Sequence, residues 1–273
     1  MYKLFCTDMD GTLLNNEGKV SEENKMAIKM AQDRGVKVAI CTGRLFTSAN
    51  YFAEIVGTKV PLICANGAYV REKDKDEIIY MSVLGADNCK KVLSIAKKYG
   101  LYPHFNTSDT VFTEKIIYSS EVYFKMNKTL PKEMQIKIQV VNNWEKTFEE
   151  NKECILKCIV VDDDIEKIKS AKSELALEDE LEVVSSRENN IEIMCKGVSK
   201  GRAVEILAGY YNINKEEVIC IGDNENDISM LKYAGLGIAM ANGEEKVLEI
   251  ADFITDTNEN SGVAKAIEKF ILI

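Results

Sequence analysis

The chain opens with apolar runs that are separated by an amphipathic stretch. Residues 2–8 are apolar up to a terminal aspartate, and residues 36–42 and 61–67 form two further apolar runs. Residues 21–35, between the first two runs, carry apolar side chains at helical spacing. Apolar strands that alternate with helices indicate a parallel sheet that is covered on both faces.

The helix predicted over residues 21–35 has recognisable ends. Ser21 is a suitable N-cap, and Gly35 is a stop signal. One face of this helix carries the apolar side chains of Met26, Ala27, Met30 and Ala31.

The middle of the chain has a different character. The charged run at residues 71–77 predicts a solvated hairpin turn between short strands. Helical and strand-like patterns then alternate in a segment of mixed α and β type: helix 86–100, strand 154–161, helix 162–175 and strand 180–186. We expect this segment, residues 83–186, to form an independent inserted α+β domain.

The first pattern returns near residue 190. Strand-like and helical segments alternate again to the end of the chain: strand 190–194, helix 200–211, strand 217–223, and then short strands and helices. We therefore predict an α/β fold whose core, residues 1–82 and 187–273, is a Rossmann-like parallel sheet with helices on both faces.

Composition and charge exclude several classes of protein. The 273 residues include 44 acidic and 35 basic side chains, for a net charge of −9, which argues against a nucleic-acid-binding surface. No apolar run approaches a membrane span, and the N-terminus does not resemble a signal peptide. The eight cysteines form no C-x-x-C pair, so we expect reduced, mostly buried thiols and a cytoplasmic location.

The first candidate site is the run Asp8-Met9-Asp10-Gly11-Thr12, directly after an apolar strand. Two aspartates at i and i+2 on extended chain point the same way, and their repulsion is relieved most simply by a divalent cation. The spacing does not fit a calcium-binding EF-hand loop, because the sixth position is leucine. A plain turn at the end of the strand remains the alternative.

Three further motifs follow strand ends or begin a helix. Gly222-Asp223-Asn224-Glu225-Asn226-Asp227 places acids after an apolar strand, although helix capping could use one of them. Thr42-Gly43-Arg44 suits an oxyanion, or is a small polar turn. Lys200 stands at a predicted helix N-terminus against the helix dipole, so it either holds an anion or is simply solvated.

Together these motifs resemble those of the haloacid dehalogenase superfamily. DMDGTLL, CTGR, GVSKGRA and GDNENDISML occur in the family's order, and ICANGA at residues 63–68 matches a further family segment. Within that superfamily the chain is similar to the Cof-type hydrolases, which carry the larger cap between the second and third motifs. The resemblance covers essentially the whole chain.

The resemblance implies a Mg²⁺-dependent phosphatase with defined residue roles. Asp8 would be the nucleophile and Asp10 the general acid and base, with Mg²⁺ held by Asp8, the main-chain carbonyl of Asp10, and Asp223. Asp227 would orient the metal ligands or Lys200. The residues that would contact the substrate phosphate are Thr42, Gly43, Asn66, Lys200 and Asn226.

The same resemblance makes residues 83–186 the cap that selects a small phosphorylated metabolite. Candidate contacts there are Tyr102, His104, Tyr123 and Lys125, each of which is also compatible with an ordinary structural position. The run Asp162-Asp163-Asp164 precedes a predicted helix, where carboxylates favour the helix dipole.

A phosphomutase and a non-catalytic metabolite-binding protein remain as alternatives. We expect a monomer or homodimer with neither a nucleic-acid nor a membrane partner.

Overall fold

The structure, a computed structural model, describes residues 1–273 and divides into two compact units. The core unit comprises Met1–Gly43, Ala49–Tyr80 and Ser199–Ile273. The inserted unit comprises Arg44–Ser48 and Met81–Val198.

The chain forms fourteen strands and ten α-helices. The strands are β1 (Leu4–Thr7), β2 (Lys37–Ile40), β3 (Leu62–Cys64), β4 (Tyr69–Arg71), β5 (Ile78–Met81), β6 (Pro103–Asn106), β7 (Thr110–Thr113), β8 (Lys137–Val140), β9 (Lys157–Val161), β10 (Leu181–Val184), β11 (Asn190–Cys195), β12 (Val218–Gly222), β13 (Leu236–Ala239) and β14 (Phe253–Ile254). The helices are α1 (Glu22–Asp33), α2 (Phe46–Val56), α3 (Ala86–Lys98), α4 (Tyr118–Met126), α5 (Trp144–Glu150), α6 (Ile165–Leu175), α7 (Lys200–Tyr210), α8 (Ile228–Tyr233), α9 (Glu245–Leu248) and α10 (Gly262–Phe270).

The core unit contains a five-stranded parallel sheet in the order β14-β13-β12-β1-β2. Strand β1 is central, and its Leu4 lies opposite Val218 on one side and Lys37 on the other. All four residues of β1 are buried, as expected for a strand that is covered on both faces. The predicted α/β fold with a parallel sheet is confirmed.

A small antiparallel sheet of β3, β4 and β5 follows β2 in the core unit. A parallel bridge between Cys41 and Ile63 connects it to the end of β2. The predicted hairpin turn at residues 71–77 links β4 to β5, where the Glu72 amide donates to the Glu77 carbonyl at 3.0 Å.

Helix α1 begins and ends as its sequence predicts, and it buries only part of the apolar face that the sequence shows. Ser21 caps it by accepting a hydrogen bond from the Asn24 amide, and Gly35 has a left-handed φ of 84°. Of the four apolar side chains that share a face in the sequence, Ala27 and Ala31 are buried, whereas Met26 and Met30 are 60% and 51% exposed. The buried side chains of α1 are Asn24, Ala27, Ile28 and Ala31.

The inserted unit is built on a six-stranded sheet in the order β10-β11-β9-β6-β7-β8. All neighbouring pairs are antiparallel except β7 and β8. The unit has its own hydrophobic core, to which Phe105, Phe148, Ile168 and Ile193 contribute.

Strand β11 belongs to this six-stranded sheet. The sequence pattern grouped residues 190–194 with the second piece of the core, yet Ile193 lies opposite Cys158 of β9 and Val183 of β10. The chain therefore enters the core unit again only at Ser199.

Two findings bear on the expectations from composition. None of the ten helices has both the length and the apolar character that crossing a membrane requires. All eight cysteines are free thiols, and six of them are buried.

Candidate active site

The ends of the central parallel strands bring the sequence motifs together. Asp8 directly follows β1, and Asp223 directly follows β12, the neighbour of β1. The register aligns Thr7 with Ile221, and the Asp8 amide donates to the Ile221 carbonyl at 3.0 Å. The two aspartates thus lie at the same carboxyl edge of the sheet, where ligands of α/β proteins bind.

Lys200 forms two buried ion pairs at this edge. It is the first residue of α7, which Ser199 caps by accepting a hydrogen bond from the Arg202 amide. Its Nζ lies 2.6 Å from Asp8 Oδ1 and 2.5 Å from Asp227 Oδ1. The structure therefore places Lys200 between the strand-end aspartate and the carboxylate that precedes α8.

Asp227 has both carboxylate oxygens engaged. Its Oδ1 pairs with Lys200, while its Oδ2 accepts hydrogen bonds from the amides of Asp223 and Asn224 at 2.9 and 3.0 Å. One carboxylate thus fixes both the lysine and the loop that carries Asp223.

The Asp223 carboxylate is oriented by two neutral donors. Thr12 Oγ1 donates to its Oδ1 at 2.7 Å, and Asn224 Nδ2 donates to its Oδ2 at 2.6 Å. Carboxylate oxygens of Asp8, Asp223 and Asp227 lie within 4.8 Å of one another. This separation allows three carboxylates to share one ion.

Two glycines make this close approach possible. A Cβ on Gly11, which has a φ of 82°, would collide with the Asp223 carboxylate. A Cβ on Gly222 would meet Asp227 Cβ and Cγ at 2.5 Å. Both glycines are therefore required for the cluster to close.

Asn66, Asn226 and Thr42 are linked to one another. Asn226 Nδ2 donates to Asn66 Oδ1 at 3.1 Å, and the Asn66 amide donates to the Thr42 carbonyl at 3.1 Å. All three residues are buried. Hydrogen bonds thus connect the segment after β2 with the loop after β12. Gly43 follows Thr42 directly in the chain.

The segment around Asn66 has an unusual backbone. Ala65, Asn66 and Gly67 all have left-handed φ values, of 50°, 56° and 97°. A Cβ on Gly67 would collide with the carbonyl of Ser199, the residue before Lys200. The strained turn therefore packs tightly against the start of α7 and positions Asn66 beside the residues that hold Lys200.

Charge and burial shift the pKa values in this cluster. Burial raises the pKa of Asp223 to about 7, with the Asp227 carboxylate adding to the rise and Thr12 and Lys200 opposing it. Burial also raises the pKa of Asp8; Lys200 opposes that rise, while Asp227, Asp223 and Asp10 add to it. Burial alone would lower the pKa of Lys200, but Asp227 and Asp8 outweigh it and raise the pKa.

The cluster contains more carboxylates than cations. Three carboxylates surround one ammonium, and a divalent cation would relieve their repulsion. The donor atoms are all oxygen, which suits Mg²⁺. The residues present therefore fit the metal that the resemblance implies.

Asp10 lies close to this group without belonging to its triad of carboxylates. Its charge contributes to the raised pKa of both Asp8 and Asp223. The loop that carries it is held from outside, because Asn242 Nδ2 donates to the Gly11 carbonyl at 2.8 Å.

Sequence reasoning missed three polar residues that support the site: Thr12, Asn224 and Asn242. Thr12 and Asn224 bond the Asp223 carboxylate directly. Both stand inside the recognised motifs, so their position was a usable signal. Asn242 lies far from those motifs in the sequence, and no local pattern pointed to it.

The expected contacts in the inserted unit have structural partners. Tyr102 Oη accepts from Lys115 Nζ at 2.7 Å, His104 Nε2 lies 3.0 Å from Ser120 Oγ, and Lys125 pairs with Glu121 at 2.8 Å.

Three other side chains from the sequence analysis also have defined positions. Tyr123 is buried, and Asp164 caps α6 by accepting from the Lys167 amide. Arg44 Nη1 donates to Ser48 Oγ at 3.3 Å.

Comparison with known proteins gives one consistent answer. The model of the haloacid dehalogenase-like hydrolase family matches residues 5–267. A 5-amino-6-(5-phospho-D-ribitylamino)uracil phosphatase of Bacillus subtilis is 34% identical over 270 residues, covering 99% of this chain and 96% of that protein.

Two further comparisons agree. A second Bacillus subtilis phosphatase is 30% identical over 278 residues, covering 96% of this chain and 97% of that protein. The solved structure of a haloacid dehalogenase-like hydrolase from the same species superposes with a TM-score of 0.86 at 29% identity, covering 98% of this chain and 99% of that one.

Proposed function

Because the chain belongs to the haloacid dehalogenase-like hydrolases, we propose that it is a Mg²⁺-dependent phosphatase that hydrolyses small phosphorylated metabolites through an aspartyl-phosphate on Asp8. The observation that carries the proposal is the buried arrangement of Asp8, Lys200 and Asp223 at the carboxyl edge of the sheet. It supplies a nucleophile, a cation and a metal ligand in one place.

The metal would be held by Asp8, the main-chain carbonyl of Asp10, and Asp223. When bound, Mg²⁺ neutralises negative charge on the phosphoryl oxygens and on the carboxylates that face them. The charge of this cluster supports that role, since three buried carboxylates surround a single ammonium.

Asp8 would attack phosphorus through a carboxylate oxygen. A bond forms between that oxygen and phosphorus while the ester bond to the leaving oxygen breaks, which gives an acyl phosphate on Asp8 and an alcohol. Lys200, 2.6 Å from Asp8 Oδ1, orients the carboxylate and offers a positive charge to the equatorial phosphoryl oxygens.

Asp10 would transfer the protons in both half-reactions. As the acid it gives its proton to the leaving oxygen, and as the base it takes a proton from the water that attacks the acyl phosphate. Phosphate then leaves and the Asp8 carboxylate is restored. The acid role requires a protonated Asp10 in the substrate complex.

The remaining polar groups would bind the phosphoryl oxygens. We propose this role for the Thr42 hydroxyl, the Gly43 amide, Asn66 and Asn226, which the link between the two asparagine side chains supports. Asp227 would act through Lys200 and the Asp223 loop, the groups that it contacts.

The inserted unit would serve as the cap that excludes water and selects the leaving group. For the substrate class we propose phosphate monoesters of small hydroxylated metabolites. The Bacillus subtilis relative named for a phosphoribitylamino-uracil substrate makes that compound a member of the first panel to be tested.

The test is a phosphate-release assay over a panel of metabolites and p-nitrophenyl phosphate, with Mg²⁺ and with chelator. We expect Asp8→Asn to reduce release by at least about a thousand-fold, because the amide is a poor nucleophile. Asp33→Asn, which changes an exposed acid, is the matched control and should retain full activity.

Four outcomes would contradict the proposal. Full activity in Asp8→Asn would remove Asp8 as the nucleophile, and full activity in chelator would remove the metal requirement. Isomer formation without phosphate release would indicate a phosphomutase. Binding of phosphate esters without turnover by the wild-type protein would indicate a binding protein.

A further inference from the structure

Two asparagines from a distant part of the chain hold the turn that carries Asp10. Asn242 Nδ2 donates to the Gly11 carbonyl at 2.8 Å, and Asn258 Nδ2 donates to the Leu14 carbonyl at 3.0 Å. Gly11 follows Asp10 in the chain, and Leu14 forms an isolated β-bridge with Asp10. The two contacts therefore hold the main chain of Asp10 through both of these neighbours.

The two asparagines are joined to each other. The Asn258 amide donates to Asn242 Oδ1 at 2.9 Å, so the side chain that holds one end of the turn is itself oriented by the backbone at the other. Thr257 caps the short 3₁₀ helix Asn258–Asn260 with its side chain. Asn258 is only 5% exposed, so its side chain is confined to this arrangement.

Hydrogen bonds continue from Asn258 into the turn. The Leu14 carbonyl accepts from Asn258, while the Leu14 amide donates to the Met9 carbonyl at 2.8 Å. Met9 directly precedes Asp10. A displacement of Leu14 would therefore move the backbone on the N-terminal side of Asp10, and the Asn258 side chain opposes that displacement.

Asp10 depends on this support more than Asp8 does. In the proposed reaction Asp10 gives its proton to the leaving oxygen, and a proton donor must lie within hydrogen-bond distance of the atom that it serves. A misplacement of about 1 Å can lower a rate on the order of a hundred-fold. Asp8 has other supports, since its amide donates to the Ile221 carbonyl at 3.0 Å and its carboxylate pairs with Lys200 at 2.6 Å.

We propose that Asn258 and Asn242 are positioning residues for Asp10 as the general acid. Asn258 acts through the backbone of Leu14, and Asn242 acts through the backbone of Gly11. This inference rests on the proposed phosphatase function and extends it to two residues that stand outside the sequence motifs.

The test uses the dependence of the rate on the leaving group. Phenyl phosphate and p-nitrophenyl phosphate are similar in shape, but phenolate is the more basic leaving group and gains more from protonation. A general loss of structure lowers both rates equally, whereas a misplaced acid slows phenyl phosphate more. We expect Asn258→Ala to lower the ratio of kcat/KM for phenyl phosphate to kcat/KM for p-nitrophenyl phosphate by at least about five-fold, mainly through kcat.

Two further variants calibrate this ratio. Asp10→Asn removes the acid itself and should give the largest fall. Asn260→Ala is the matched control, because it changes an exposed asparagine of the same short helix whose side chain donates to Asp256. The ratio should not change in that control.

A second test variant keeps the experiment decisive if Asn258→Ala folds poorly. Asn242→Ala changes an exposed side chain and should lower the ratio at least about two-fold, and thermal unfolding reports whether each variant is folded. An unchanged ratio in either folded variant, beside a fall in Asp10→Asn, would overturn the inference. An unchanged ratio in Asp10→Asn would instead remove Asp10 as the acid, and with it the role of both asparagines. Absence of phosphatase activity in the wild-type protein would overturn the proposed function itself.

Discussion

Lys200 supplies the one positive charge among the buried carboxylates of Asp8, Asp223 and Asp227. Both of its ion pairs are short, and the second oxygen of Asp227 accepts hydrogen bonds from two amides. The lysine therefore has a double task at the residue scale. It sets the position of the Asp8 carboxylate, and it limits the repulsion among the three acids.

Removing that charge is expected to harm both stability and activity. Lys200→Met leaves Asp8 and Asp227 buried without a cation, so we expect the free energy of unfolding to fall by about 3 kcal/mol and phosphate release to fall at least about a hundred-fold. Denaturant unfolding and a phosphate assay measure the two effects. Lys232→Met, at an exposed position of α8, is the control, and equal behaviour of the two variants would contradict the assignment.

His104 gives a prediction about pH, because it is the only histidine in the chain. Burial lowers its pKa from 6.5 to about 4, against the effect of nearby backbone groups. Between these two pH values the unfolded chain binds a proton that the folded protein does not. Stability should therefore decrease as the pH falls from 6.5 to 4, by on the order of 3 kcal/mol.

The comparison that isolates His104 is urea unfolding of the wild-type protein and of His104→Gln across this pH range. The carboxyl groups contribute equally to both proteins, so the difference in slope belongs to the imidazole. Parallel stability curves would show that His104 titrates at the same pH in the folded and unfolded states.

At the residue scale, the sequence located the charged residues of the site but not the polar residues that orient them. Asp8, Asp223 and Lys200 stand in motifs whose order is recognisable. The partners of Thr12 and Asn242 are set by how distant loops fold together, and small polar residues in loops are too common to single out. The motifs therefore predicted that the charged side chains lie together, and the structure showed which polar residues position them.

At the scale of elements, helix α1 shows the limit of hydrophobic periodicity. The apolar face that the pattern shows includes two methionines that are exposed, whereas the buried stripe includes Asn24. That asparagine is satisfied inside the fold: its Nδ2 donates to the Leu13 carbonyl and its Oδ1 accepts from the Ala264 amide, at 3.3 and 2.9 Å. A polar residue with two tertiary partners is indistinguishable in sequence from a solvated one.

Helix α4, between β7 and β9, was not predicted because its apolar side chains do not lie on one face. Helix α4 exposes Val122 and Phe124, which are 57% and 47% accessible, so its apolar side chains do not define one face. Without a single apolar stripe the pattern has no helical period to detect. By contrast, α3 and α6 have a clear stripe, and the sequence predicted both.

The contact between α7 and α8 offers a matched pair of glycine variants. The Gly201 amide donates to Ser229 Oγ at 3.0 Å, and a Cβ on Gly201 would collide with the Ser229 carbonyl. Gly209 lies in the same helix with open space around it. The two positions differ in how closely α8 approaches.

We expect Gly201→Ala to lower the free energy of unfolding by about 1–3 kcal/mol and to reduce activity, because it pushes the start of α7, with Lys200, away from α8. Gly209→Ala should raise stability by up to about 1 kcal/mol, since alanine favours helix and meets no obstacle. Thermal unfolding and phosphate release measure both. If the Gly201→Ala protein were as stable as Gly209→Ala, α7 and α8 would be able to move apart without loss of stability.

At the scale of the whole molecule, the inserted unit has the features of an independent domain. Its hydrophobic core draws only on residues from Leu84 to Ile193. Its six strands pair with one another. The end of this unit could not be read from the sequence, because β11 is as apolar as a core strand and only its partners, β9 and β10, assign it.

We therefore expect a fragment of residues 81–198 to fold alone and to unfold cooperatively on heating, as measured by circular dichroism. Phe105→Ala in the fragment should lower its stability by about 3–5 kcal/mol, because Phe105 is fully buried among Trp144 and Phe148. A fragment with no cooperative transition would show that the unit depends on the rest of the chain.

The position of β1 in the middle of the parallel sheet has a consequence during translation, because one of its neighbouring strands is synthesised much later. Its neighbour β12 is made about 200 residues later, a delay on the order of 10 to 40 seconds at ordinary rates of synthesis. The six-stranded sheet of the inserted unit is encoded entirely between these two strands. On the ribosome the inserted unit can thus be complete before the strand that precedes Asp223 is made. Asp8 and Asp223 can come together only after that strand has been added.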